Sequence, residues 1–368
     1  MKRILVVGGA GYIGSHMVWL LASRGVKVVV LDDLSSGHAD AVMGAELVRG
    51  DMGDRALLDR VFTAHRFDAV MHFASFIQVG ESVADPAAYY RNNLANTLTL
   101  LAAMNDHGVK QFIFSSTAAV FGEPAYTPID ERHPQQPINP YGWSKRMVEQ
   151  VLSDYSHAYG LKSVSLRYFN AAGAHPQGLL GERHEHETHL IPLVLQAASG
   201  QRPHITLFGD DYDTSDGTCV RDYIHVMDLA EAHWLALDYL DQGGETTAFN
   251  LGNGDGYSVA EVIQAARRVT GLQIPVRMGE RRVGDPARLV ADATRARTVL
   301  GWVPRFASLE SMVRTAWAFE CRRGNVPLWV TCLRQPLLQS ATQPATQSAP
   351  RSLPPVRTAP RLLADAVA

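Results

Sequence analysis

Cysteine is scarce in this chain: Cys219, Cys321 and Cys332 are the only three in 368 residues, with no CxxC spacing and an odd one left over. A disulfide framework is therefore not expected, and a reducing compartment is. No run of roughly eighteen apolar residues occurs, so no membrane span is expected. Met1-Lys2-Arg3 ahead of an apolar stretch imitates a secretion signal, but Gly8, Gly9 and His16 interrupt it. A charge excess is also missing: 34 Lys and Arg stand against 37 Asp and Glu, a net of −3. That argues against a general nucleic-acid binder while leaving room for a basic pocket around one anionic ligand. No internal repeat is evident. These absences point to a soluble cytoplasmic protein, long enough for one large or two ordinary domains.

What is present is organised around the first fifteen residues. Ile4-Leu5-Val6-Val7 is a β-branched apolar run, Gly8-Gly9-Ala10-Gly11-Tyr12-Ile13-Gly14 breaks it, and Ser15 to Ala22 continues with helical spacing. Strand, glycine turn and helix in that order make a phosphate cradle. Gly8 suits the tight turn, Gly11 a close approach of backbone to a pyrophosphate, and Gly14 the packing of helix on strand; the helix N-terminus offers N–H groups to the phosphates. Lys27 to Leu31 reads as a second strand ending in Asp32, whose carboxylate is placed to take both hydroxyls of an adenosine ribose. No arginine follows Asp32 directly, so NAD is favoured over NADP. A βαβ unit with an empty glycine turn is the alternative.

The rhythm continues with strands at Ala45–Arg49, Asp68–Ala74, Gln111–Thr117 and Lys162–Leu166, separated by helices. This predicts an α/β fold, a doubly wound parallel sheet with helices on both faces, and ligands at the carboxyl ends of the strands. The polar loop Asp33 to Gly44 suits wrapping a ribose. Asp51, after the third strand, can accept from an adenine amino group or cap the helix starting near Arg55. Asn92 and Asn93 fall inside a helix, where a polar partner is expected for at least one. From Ala171 the loops lengthen and Gly, Pro and His cluster. The division predicted is a dinucleotide-binding domain over 1–170, with returns to the sheet at Ile224–His225 and Phe249–Leu251, a smaller C-terminal α/β substrate lobe over 171–325, and a disordered tail over 326–368. The tail is rich in Ser, Gln, Ala, Pro and Arg, without an apolar face.

Chemistry is concentrated where the fifth strand ends in Ser115-Ser116-Thr117 and a long helix begins at Asn139-Pro140-Tyr141. Tyr141 and Lys145 are four apart on one helical face. A tyrosine, with a reference pKa of about 10, acts as a base near neutrality only if its phenolate is stabilised; each unit of lowering requires about 1.4 kcal/mol. Lys145 and an oxidised nicotinamide are two cations that can provide it. With Thr117 bonding phenol and substrate hydroxyl, the three side chains form a proton relay beside a hydride acceptor. Tyr-x-x-x-Lys by itself is usually a solvated helix face.

These motifs resemble the extended short-chain dehydrogenase/reductases and, within them, the UDP-glucose 4-epimerases. The resemblance covers roughly residues 1 to 320. It rests on the glycine turn through His16, His72-Phe73-Ala74, Val79-Gly80-Glu81-Ser82, Tyr141 with Lys145, Arg167-Tyr168-Phe169-Asn170, Gly217-Thr218, Val220 through Val226, and Arg281-Arg282 with Gly284-Asp285. The resemblance implies NAD-dependent, reversible epimerisation of UDP-glucose and UDP-galactose at C4 through a transient 4-keto sugar, with Tyr141 as base, Lys145 its partner and Thr117 the bridging hydroxyl. It implies that Gly8, Gly11, Tyr12, Ile13, Gly14, Asp32, Asp33, Leu34, Asp51, Met52, Phe73, Ala74, Ser75, Asn92, Tyr141, Lys145 and Phe169 bind NAD. It further implies that Thr117, Asn170, His189, Leu190, Phe208, Arg221, Arg282, Asp285 and Leu289 hold the UDP-sugar, and that the chain is a homodimer. Two arginines on a diphosphate also make sense unaided, although either alone reads as a surface ion pair. His189 replaces an amide found in some members, and Leu289 sits where others carry a tyrosine beside the sugar.

The nearest rivals are another UDP-sugar 4-epimerase and a nucleotide-sugar 4,6-dehydratase. Dehydratases usually carry an Asp-Glu pair directly after the threonine; here Ala118-Ala119 follow Thr117. A cofactor-sensing protein without catalysis generally lacks the tyrosine or the lysine, and both are present. His184, His186 and His189, mixed with Glu182, Glu185 and Glu187, could ligate zinc. The preferred reading is a polar substrate loop with no metal.

Overall fold

Strands that are apolar on both faces need cover on both sides, and that requirement shapes the first lobe. In a computed structural model of the chain, which describes residues 1–282 and 285–326, β1 (Arg3–Val7), α1 (Tyr12–Ser23), β2 (Lys27–Asp32), β3 (Glu46–Arg49), α2 (Arg55–Ala64) and β4 (Ala69–His72) follow in turn. After them come α3 (Val79–Ala84), α4 (Pro86–Tyr89), α5 (Asn96–Asp106), β5 (Gln111–Thr117), α6 (Pro140–Tyr159) and β6 (Lys162–Tyr168). With Thr247–Leu251 (β11), the strands form one seven-stranded sheet in the order β11-β6-β5-β4-β1-β2-β3. Every pairing in it is parallel. Alternation along β1 decides the cover: Ile4 and Val6 pack with α1 residues Met17 and Leu21 on one face, and Leu5 and Val7 with Leu58, Leu100 and Val148 of α2, α5 and α6 on the other.

From β1 the sheet runs to β2 and β3 on one side and to β4, β5 and β6 on the other. The turns leaving β1 and β4 therefore diverge and open a crevice at the carboxyl edge.

The second lobe follows β7 (Asn170–Ala172). It holds α7 (Leu190–Ala198), β8 (Ile205–Phe208), β9 (Val220–Arg221), β10 (Tyr223–His225), β12 (Tyr257–Ser258), α9 (Val259–Thr270), β13 (Val276–Gly279), β14 (Arg288–Leu289) and α11 (Leu309–Arg322). Its core gathers Ile191, Leu195, Leu207, Val262, Ile263, Met312 and Trp317. Two further helices, α8 (Val226–Asp241) and α10 (Thr294–Val299), pack by Leu229, Leu237 and Ala296 under the large sheet.

Phe249–Leu251 does return to the large sheet, in β11. Ile224–His225 does not: β10 pairs instead with β7 in a separate two-stranded sheet. Only three residues long, β10 closes into α8 at Val226 before it can reach the sheet edge. Val326, the last described residue, is buried against the second core; the expected tail from 327 onward lies outside the described residues, as do Val283 and Gly284. Among the described residues no helix is long and apolar enough to cross a membrane.

Candidate active site

Backbone geometry builds one half of the site. Gly8 adopts φ +80°, and a Cβ there would lie 2.4 Å from the Ala74 nitrogen. The turns after β1 and β4 can thus touch only if residue 8 has no side chain. A Cβ on Gly14 would lie 2.1 Å from the Gly8 carbonyl oxygen, so this glycine lets α1 close on the turn. At Gly11 the nearest atom to a Cβ is 3.5 Å away; here glycine leaves room in front of the chain. No side chain caps α1 and no acid stands in its first turn, so the positive helix end is left for a ligand.

Gly8, Gly11, Asp32, Asp33, Asp51, Met52, Phe73, Ala74, Ser75 and Asn92 line a groove across the ends of β1, β2, β3 and β4. Asp32 is fixed by two backbone donors, Ala10 N–H and Leu34 N–H, each at 2.9 Å and each to a different oxygen. One lone pair per oxygen remains for a diol. Burial raises the Asp32 pKa, and these two backbone bonds oppose the rise. Asp51 is not the cap of α2: Asp54 is, accepting from Leu57 N–H at 3.0 Å. Asp51 instead accepts from Gly53 N–H and from the Asn96 amide, and stays on the groove wall.

The two asparagines lie in a π-helical stretch, Tyr90–Ala95, between α4 and α5. Such a widened turn is a frequent companion of functional sites. Asn93 faces inward and clamps Phe76 through its N–H and carbonyl, while its neighbour Asn92 reaches the groove. Leu34 is the one expected cofactor residue absent from the cavity lining: its backbone N–H goes to Asp32 and its side chain packs on the core under α1.

The groove opens into a cleft between the lobes of about 1190 Å³, lined by Tyr12, Ile13, Gly14, Thr117, Tyr141, Lys145, Phe169, Asn170, His189, Leu190, Phe208, Arg221, Arg282, Asp285 and Leu289. That exceeds the roughly 300–1,000 Å³ common for a single small ligand, and suits two ligands end to end. Tyr12 bridges the lobes, its hydroxyl donating to the Gly173 carbonyl at 2.6 Å.

Tyr141 and Lys145 enter from the first turns of α6, whose N-cap is Asn139 accepting from Gly142 N–H at 2.8 Å. Thr117 Oγ1 accepts from Ala119 N–H at 3.1 Å, and its side chain lies beside the Tyr141 phenol, where it favours the ionised form. Lys145 donates to Ser75 Oγ at 2.7 Å and to the Ser115 carbonyl at 2.8 Å, and lies over the Phe114 ring. Burial pushes the ammonium down to about 7, with Glu149 opposing. The expected lowering of the phenol is not achieved by the protein's own groups. Burial raises the Tyr141 pKa, and Thr117 beside it only moderates the rise. The lysine is turned toward Ser75 and Ser115, away from a direct bond to the phenol.

On the second lobe Arg221 is ion-paired with Asp285, both on the cleft wall. Arg282 stacks its guanidinium 4.1 Å above the Phe208 ring. Asn170 gives its amide N–H to the Asp222 carbonyl at 2.9 Å, leaving its carbonyl oxygen for the cleft. Phe169 and Leu289 pack on Val120, Phe121 and Ile129. Ala118 and Ala119 line the cleft just past Thr117 and offer only methyl groups there, with no group able to donate or accept a proton.

Sequence reading missed the support behind Lys145. Ser116 Oγ donates to Glu149 at 2.6 Å, and Glu149 takes both Nε and Nη2 of Arg167. Arg167 stood in a quoted motif without a role, because its partner is 18 residues away on another element.

The sequence profile of the NAD dependent epimerase/dehydratase family matches residues 4–252. The chain is 54% identical over 314 residues to the UDP-glucose 4-epimerase of Halalkalibacterium halodurans, covering 85% of this chain and 94% of that one. It is similar to the crystal structure of UDP-glucose 4-epimerase from Brucella ovis in complex with NAD, with a TM-score of 0.85, 49% identity and coverage of 86% and 98%. The Bifidobacterium longum enzyme in complex with NAD+ and UDP superimposes with a TM-score of 0.83 at 41% identity, covering 88% of this chain and 99% of that one.

Proposed function

Because the chain belongs to the NAD-dependent epimerase/dehydratase family, we propose that it interconverts UDP-glucose and UDP-galactose by inverting C4, with NAD as resident cofactor. The observation that carries this reading is the meeting of Thr117, Tyr141 and Lys145 in one cleft with the Gly8 turn, and with no acid at positions 118 and 119.

The chain's geometry fits that cofactor. The uncapped α1 terminus and the open space at Gly11 suit a pyrophosphate, and the free lone pairs of Asp32 suit a ribose diol. Asp51 and Asn92 would flank the adenine end of a bound NAD, and Ser75, Lys145 and Tyr141 the other. When bound, NAD supplies the acceptor and then the donor for the hydride at C4.

The protein's own groups manage the proton and the pose. Tyr141 takes the proton from the sugar 4-hydroxyl and returns it, and Thr117 holds both hydroxyls in line. Lys145, buried and close to its own pKa at neutrality, lines the same cleft one turn along α6 from Tyr141. Arg221 and Arg282 hold the diphosphate, Arg221 steadied by Asp285 and Arg282 by the Phe208 face. The sugar end meets mostly apolar wall, Leu289 and Phe169 included. A firm hold on UDP and a loose one on the sugar let the 4-keto sugar swing about its bond to the diphosphate and present its other face.

Two further expectations accompany this reading. The chain works in the cytoplasm. It works as a homodimer, supported by Leu98 on α5 and by Trp143 and Met147, one turn apart on α6, all large apolar side chains left exposed; sedimentation at micromolar concentration checks the dimer. The deciding assay incubates purified protein with UDP-glucose and resolves the products. UDP-galactose is expected; a 4-keto-6-deoxy sugar nucleotide would instead make the chain a dehydratase.

A further inference from the structure

The histidine-rich loop that reads in the sequence as a polar substrate loop folds into something more specific. Glu182, His184, Glu187 and His189 each turn one ligand atom to a common point, and these four atoms all lie within 4.8 Å of one another. The selection is selective: Glu185 and His186, between them in sequence, are exposed and take no part. His189 Nδ1 is 2.7 Å from Glu182 Oε1 and 3.2 Å from Glu187 Oε1. His184 Nδ1 is 3.2 Å from Glu182 Oε1 and 3.5 Å from Glu187 Oε2. A tetrahedral ion with bonds of about 2.0–2.2 Å holds its ligand atoms about 3.4 Å apart, so an ion would spread the 2.7 Å pair and draw in the widest one, which is at most 4.8 Å.

The surroundings favour an ion as well. The Glu182 and Glu187 side chains are only 7% and 6% exposed. Among the described residues, the cationic groups within ion-pair distance of them are these two imidazoles. Two buried carboxylates need two positive charges close by, which either two protons on the imidazoles or one divalent ion supplies. Glu187 is held in place from behind, its Oε1 accepting the backbone N–H groups of Thr188 and His189 at 2.8 Å each. Imidazole nitrogen with carboxylate oxygen suits zinc and its borderline neighbours, and disfavours magnesium and calcium, which want oxygen alone.

We infer that Glu182, His184, Glu187 and His189 form a structural binding site for a zinc-class divalent ion. The ion clips a strap. Arg183, inside the cluster's loop, makes a bidentate pair with Asp40 at 2.9 Å for each bond, and its carbonyl meets His38 Nε2 at 3.0 Å. Both partners belong to the loop after β2 that borders the cofactor groove. Clipping residues 182–189 therefore fastens the second lobe to that loop, outside the Tyr141 relay.

The test uses full-length, untagged protein treated with chelator. Zn²⁺ is titrated by calorimetry and Co²⁺ by visible absorption. One equivalent of Zn²⁺ is expected to bind with a micromolar or tighter Kd and to raise Tm. Co²⁺ is expected to give four-coordinate d–d bands without the near-ultraviolet charge transfer of a thiolate. His184→Asn and Glu187→Gln, each checked for folding by circular dichroism without metal, should weaken Zn²⁺ at least tenfold, whereas Cys219→Ser should not. The absence of saturable uptake, uptake unchanged in H184N and E187Q, or thiolate bands with Co²⁺ would each overturn the assignment. Should either variant fail to fold, the wild-type stoichiometry and the Co²⁺ spectrum still decide it.

Discussion

Glu149 and Arg167 form a bidentate ion pair, at 2.9 and 2.6 Å, with both side chains 6% exposed, directly behind Lys145 on α6. Removing one partner of such a pair strands a buried charge, at a cost of about 3–5 kcal/mol. Glu149→Gln is expected to lose that much in chemical denaturation. It also withdraws the negative charge that favours the Lys145 ammonium, whose pKa burial already pushes down to about 7. A lower pKa means the proton leaves at lower pH. The alkaline limb of kcat/KM is therefore expected to move to lower pH, onto the acid side of neutrality, and an unmoved limb would show that the ammonium does not control the rate.

Cofactor retention follows from the turn that Gly8 and Gly14 close and from a reaction with no net redox change. Purified protein should release NAD on denaturation and turn over UDP-galactose without added cofactor. Free NADH accumulating in step with product would contradict this.

Tyr141→Phe keeps the ring and deletes the hydroxyl beside Thr117. Loss of a positioned acid–base group costs about 10²–10⁴-fold in rate. Turnover should fall by that factor while UDP affinity and Tm stay near wild type. A variant within a few-fold of the normal rate would take the phenol out of the mechanism.

Leu289 packs on the Val120–Phe121–Ile129 patch beside the cleft. On the proposed reading Leu289 lies beside the sugar, and being shorter than tyrosine it would leave room at the C2 substituent. Epimerisation of UDP-N-acetylglucosamine is expected alongside UDP-glucose, with a graded preference, since apolar differences of this size discriminate by about 1–3 kcal/mol. Leu289→Tyr should depress the N-acetylated activity more than the plain one. Equal losses for both sugars would mean that Leu289 does not gate the pocket.

What could be read without coordinates was what short-range geometry dictates. The glycine turn, the fifth strand over Gln111–Thr117 and the Tyr141–Lys145 face of α6 all depend on residues within a few positions of each other, so periodicity and turn chemistry suffice. Placing Asp51 on the groove wall rather than at the head of α2 was beyond that reach, because both roles satisfy the same local pattern.

Pairings across long stretches of chain were decided only by packing. Asp285 could find Arg221 because β14 lies against β9, and Glu149 could find Arg167 because α6 crosses β6. The sequence itself determined a phosphate-binding sheet with a tyrosine–lysine pair at its carboxyl edge. The tertiary structure alone decided which strands complete the sheet, which way Lys145 faces, and which two of three neighbouring histidines meet two buried glutamates. Local spacing specifies a residue's own turn or face, whereas its partner is specified by how loops close and helices pack around it.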